Sequence, residues 1–103
     1  MFIRLYMNAN TEVEATTYLQ KLLKLGEQLK LSLTQEKCEP FMHFNDSYEI
    51  ELESPMTSEK QLIELLEGIA PKWNQLPNGM IATKKENHLF IDQIEMIEVY
   101  PEF

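Results

Sequence analysis

A chain of 103 residues with 44% hydrophobic and 25% charged residues has the size and composition of one folded domain, which excludes a disordered tail and a second core. Seventeen acids against nine lysines and arginines give a net charge of −8, and like charge repels phosphate backbones and anionic lipid, so nucleic acid and membrane surfaces are excluded as direct partners. A lone Cys38 excludes an intramolecular disulfide, and the opening MFIRLYMNAN, with Arg4 inside a short apolar run, fits neither a signal peptide nor a membrane span; the cytoplasm is the expected compartment.

Residues 2–7 are aromatic and β-branched enough to predict a buried strand, with Arg4 its one polar break. Thr11 and Glu14 then fit a capping box, and Ala15, Tyr18, Leu19, Leu22, Leu23, Gly26 and Leu29 recur at helical spacing, an apolar stripe that must pack on something. The helical period fails over residues 31–44. Pro40 there predicts a strand at a sheet edge or with a bulge at that point. Asn45, Asp46 and Ser47 make a turn, after which residues 48–53 alternate cleanly, with Tyr48, Ile50 and Leu52 on one face and Glu49, Glu51 and Glu53 on the other.

A second capping box at Ser58 and Gln61 opens a helix whose face is Leu62, Leu65, Leu66 and Ile69, and Pro71 stops it. Pro77, Asn78 and Gly79 predict a three-residue hairpin loop between the arms 73–76 and 80–83, with Gly79 in the left-handed conformation. Trp73, beside the helix stop, reads as a lid on the core whose indole N–H reaches a carbonyl, in preference to an interface anchor. A polar connection at 84–87 leads to the short apolar run 88–91 and a last strand over 94–100. In that strand Ile94 and Met96 share one parity while Ile97 and Val99 share the other, which requires either burial on both faces or a bulge.

The order strand, helix, strand, strand, helix, strands predicts an α+β fold of the ferredoxin-like split βαβ kind, one antiparallel sheet with two helices on one face plus an extra C-terminal hairpin. That superfold hosts many activities and carries no function by itself.

His43, His88 and Cys38 are the only soft metal ligands or good general bases, and no paired spacing such as Cys-x-x-Cys joins them; no metal site, cofactor or catalytic set is predicted. Cys38 reads as a small hydrophobe beside Pro40. With three glycines, none grouped, no phosphate-binding loop can form.

The uneven acids carry the functional signal. Residues 35–53 hold six acids against one lysine, and residues 92–103 hold four acids and no base. Glu49, Glu51 and Glu53 project from one strand face roughly 7 Å apart, given about 3.4 Å per residue. Either Arg4 or Lys37 on neighbouring strands offsets them on an ordinary solvated face, or the row meets a cationic protein surface. Tyr6, opposite in parity to Ile3 and Leu5, shares that helix-free face; an RNA-binding sheet would surround its aromatics with lysine and arginine, and the acids argue against it.

The expected function is that of a non-enzymatic, acidic protein-binding module, an inhibitor or immunity-type protein covering the basic surface of a partner such as a nuclease toxin. Its contacts are expected at Tyr6, Asp46, Glu49, Glu51, Glu53, Glu95 and Glu98. The alternative is a ferredoxin-like sensory or dimerisation module that binds a small ligand or itself through the open sheet face, although acids resist self-pairing there.

Overall fold

The computed structural model describes residues 1–42, 46–55 and 58–101, and these form β1 (Phe2–Asn8), α1 (Glu12–Gln28), β2 (Thr34–Pro40), β3 (Ser47–Glu53), α2 (Glu59–Ile69), β4 (Asn74–Leu76), β5 (Gly79–Thr83) and β6 (Ile94–Tyr100). The strands make one sheet in the order β2-β3-β1-β6-β5-β4, antiparallel at every pairing. The protein is therefore α+β, with a single antiparallel sheet and two helices among the described residues.

β1 alternates in exposure although it hardly alternates in polarity. Ile3, Leu5 and Met7 are fully buried, and Phe2, Arg4 and Tyr6 are half-exposed. Register extends the buried face sideways: Ile3 lies opposite Leu52 and Val99, and Leu5 opposite Ile50 and Ile97. Leu19 and Leu22 of α1 and Leu65 and Ile69 of α2 join the same buried cluster, so both helices cover this face and leave the other open.

The parity conflict in the last strand is resolved by a bulge. Tyr6 pairs with Met96 but Met7 with Ile94, so Glu95 is the extra residue, and Ile94, Ile97 and Val99 all reach the core. β2 is shorter than the stretch 31–44 because α1 and its terminal motif occupy the chain as far as Leu31. Lys30 takes a left-handed φ of 61°, its N–H donates to Glu27 O, and Leu31 N donates to Gly26 O at 2.8 Å. These two bonds are a Schellman cap, made here without glycine. β2 is an edge strand that ends at Pro40, and its bulge lies at Glu36, between Gln35 and Lys37, away from the proline.

Gly79 corrects the predicted hairpin. Leu76 pairs directly with Gly79, which leaves a two-residue loop of Pro77 and Asn78, and no glycine has a positive φ. Glycine is required there by close approach instead: a Cβ would stand 2.3 Å from Val99 O and 2.7 Å from Tyr100 Cδ1. The apolar run 88–91 is irregular. Leu89 and Ile91 are buried, and Phe90 N donates to Ile69 O at 3.0 Å, so an irregular segment plugs the core below α2.

Helix ends follow the sequence closely. Ser58 and Gln61 form the full reciprocal capping box, whereas at α1 Thr11 Oγ1 accepts from Glu14 N and the Glu14 carboxylate reaches back to Asn10 N. Trp73 packs against the core, and its indole N–H donates to Leu66 O at 2.9 Å and Ala70 O at 3.1 Å, closing the C-terminus of α2.

Candidate functional site: the uncovered sheet face

The face opposite the helices is set by the parity of the four strands at its centre and one edge. β1 contributes Phe2, Arg4 and Tyr6; β6 contributes Met96, Glu98 and Tyr100; β3 contributes Glu49, Glu51 and Glu53; β2 contributes Lys37 and Glu39. Most of these side chains are half-exposed, and Glu39 and Glu53 are exposed.

Arg4 joins three strands. Its Nε lies 3.3 Å from Glu51 Oε2, its Nη1 lies 3.4 Å from Glu98 Oε1, and its guanidinium carbon stands 5.2 Å from the centre of the Phe2 ring. The Tyr100 hydroxyl donates to the same Glu98 oxygen at 3.1 Å, and its ring stands beside Phe2 at 6.1 Å. Lys37 forms the second cluster. Its ammonium donates to Glu49 and lies 3.8 Å from Glu39, while the Tyr6 ring packs on Phe41 at 4.9 Å. Glu49, Glu51 and Glu98 thus keep only 16%, 21% and 16% of their side chains exposed, a depth at which carboxylates need partners.

Protonation follows these contacts. The hydrogen bond from Lys37 holds the Glu49 carboxyl below its ordinary value against the opposing effect of burial, with further help from the Lys37 charge, the Tyr6 hydroxyl and Arg4. The same bond raises Lys37. Burial pulls Arg4 down, but its hydrogen bond to Glu51 and the charges of Glu51 and Glu98 outweigh it, and the guanidinium is held more firmly protonated. Burial and nearby glutamates push the Tyr6 and Tyr100 phenols up. The face therefore pairs its deepest carboxylates with two internal cations, Arg4 and Lys37.

The predicted contact residues separate into groups. Tyr6, Glu49, Glu51 and Glu98 are brought together on the open face. Glu53 is on the same face, exposed at the end of β3 opposite Phe2. Asp46 is exposed in the turn before β3, at a left-handed φ of 58°, with its carbonyl accepting from Ala9 N. Glu95 is the bulge residue of β6, where its carbonyl accepts from Lys84 N, and it takes no part in the Arg4 cluster. Phe2, Glu39, Phe41 and Tyr100 were not anticipated; the parity of Arg4 with Phe2 and of Glu98 with Tyr100 is the signal that would have found two of them.

His43 lies outside the described residues. His88 is exposed in the irregular segment before β6, while Cys38 is half-buried in edge strand β2 opposite Ile50, and burial first, then Glu12, raises its thiol. Among the described residues no three of His, Cys, Asp and Glu are grouped to hold a metal ion, and no helix is long and apolar enough to cross a membrane. Set against protein-family models, characterised proteins and solved structures, the chain matches none of them.

Proposed function

We propose that the uncovered sheet face docks a basic protein and that the chain works without catalysis, as an inhibitor or immunity-type module in the cytoplasm that covers a cationic surface such as that of a nuclease toxin. The observation that carries this reading is the surplus of anchored acid. Among the described residues, Glu39, Glu49, Glu51, Glu53 and Glu98 share the face with only Arg4 and Lys37 as the opposing charges of the two clusters, and the three deepest carboxylates are already held in place. Carboxylates fixed before docking lose little freedom when a lysine or arginine arrives, and their field speeds the encounter. Tyr6 supplies aromatic surface within the patch, and Asp46 and Glu95 extend the field to the ends of β3 and β6. In scaffold terms we read β2-β3-β1-β6 with its two helices as the ferredoxin-like split βαβ core, and β4–β5 as the added hairpin extending the sheet beyond β6.

A lysine homopeptide is the direct probe. Titrated into isotopically labelled protein at low salt, it should shift amide resonances of β1, β2, β3 and β6, and the binding should fade as salt rises. The exposed pair Glu39→Lys and Glu53→Lys should weaken it at least tenfold with the fold intact. Shifts concentrated on the acids of α1 and α2 instead would overturn the proposal.

The aromatic content of the same face favours a second reading, a dimerisation module. Phe2, Tyr6, Met96 and Tyr100 are apolar surface that a second copy could cover. Sedimentation across a range of concentration and salt decides: a dimer that tightens as salt screens the acids supports self-association, and a monomer throughout removes it.

A further inference from the structure

The open face continues at one end into an apolar projection. Phe41 and Met42 follow edge strand β2; the backbone is pinned there by Phe41 N donating to Ser47 O at 2.8 Å, and the Phe41 ring lies on Tyr6. Met42 is 95% exposed. The other exposed large hydrophobics among the described residues, Val13 and the less open Ile63, sit on the helices, away from this face. A shallow hollow of about 210 Å³ lies beside the projection, lined by Phe41, Met42 and Pro40 together with Glu39, Glu49 and Lys37. Apolar surface and anchored acid therefore line the same depression.

We propose that this hollow is the anchor point of the interface, and that it receives one aromatic or long aliphatic side chain flanked by lysine or arginine on the basic partner. This deepens the docking role proposed above and rests on it. The lining offers both apolar surface and a net acid for such a side chain and its cationic neighbours. Met42 is unbranched and polarizable and adapts to rings of different shape, with sulfur to aromatic contact a favoured geometry. Two carboxylates share the hollow with one cation: Lys37 is bonded to Glu49, and Glu39, the more exposed of the two acids, would meet the flanking cations of the partner. Interfaces concentrate their affinity in such points, an aromatic in a desolvated pocket with charge at its rim, while the broader charged face supplies steering.

The test compares two probes, a lysine homopeptide and the same peptide with its central residue replaced by tryptophan. The tryptophan peptide should bind about tenfold more tightly, which corresponds to about 1.4 kcal/mol, and should quench its indole fluorescence and shift the Met42 methyl resonance. Met42→Ala, at a site too exposed to disturb folding, should erase the preference while leaving homopeptide binding unchanged, and Met42→Leu should keep most of it. Equal affinity for the two peptides on the open face would overturn the anchor and leave charge-driven docking standing. A tryptophan preference that survives Met42→Ala would likewise overturn it, since the aromatic would then be seated elsewhere. Failure of both peptides to perturb the open face would overturn the docking role and the anchor together.

Discussion

Along β1, Ile3, Leu5 and Met7 are closed off from solvent, whereas their alternating neighbours Phe2, Arg4 and Tyr6 stay half-exposed and hold specific partners elsewhere on the open face: Phe2 on Tyr100, Arg4 on Glu51 and Glu98, and Tyr6 on Phe41 beyond the end of β2. The buried side depends on volume and shape, so several aliphatic combinations would fill it nearly as well. The open side depends on register. Arg4 can reach Glu51 and Glu98 only because β3 and β6 present them at the same level, and a slip of one residue on either strand would bring Ile50 or Ile97 there instead. The helical face makes the domain stable, and the open face gives it a defined pattern of charge.

The largest break in that comparison should come from the closed side. Leu5→Ala removes a fully buried side chain beside Ile50 and Ile97, and denaturant unfolding should show a loss of about 2 to 5 kcal/mol, insensitive to salt. Arg4→Gln should cost less, about 1 kcal/mol, because its ion pairs are partly solvated, and the loss should shrink at high salt. A loss as large as that of Leu5→Ala would mean that the open face is structural to the same degree as the core.

A pH series sharpens the contrast further, with the smallest effect. The Glu49 carboxyl titrates below its ordinary 4.5, so its contribution to stability is complete above that value and is lost as pH falls through the lower folded one. Lys37 is raised above its ordinary 10.5, so its share is complete below that value and is lost as pH rises through the higher folded one. Lys37→Gln should flatten both limbs: between about pH 6 and about pH 3 the native protein should lose more stability than the variant. Parallel curves would show that the pair contributes nothing to folding.

What could be read from the residues before the structure follows the range of the forces involved. Helix caps, the two apolar stripes and the alternation of residues 48–53 are local, and they fold as their spacing requires. The bulge at Glu95 was half-legible, since a parity conflict demanded a bulge or double-sided burial and only pairing with β1 could select. Gly79 misled because its turn chemistry was plausible on its own; the actual constraint is the Val99 carbonyl brought in from β6, twenty residues on. The acidic row was legible, and parity placed Arg4 on its face. Which carboxylate each cation takes, and how deeply Glu49 and Glu98 sit, are set by strand register, which no single segment contains.

The edges of the sheet bear on how such a protein survives at high concentration. An unpaired strand edge is a template on which another chain can add, the first step toward polymers. Here one boundary, β2, is kinked at Glu36, studded with charge and closed by Pro40, and the other, β4, spans only Asn74–Leu76. Neither offers a long flat run of free amides and carbonyls. A molecule that presents an open, partly apolar face to its surroundings can thereby remain dispersed, with association steered to that face and away from the rims.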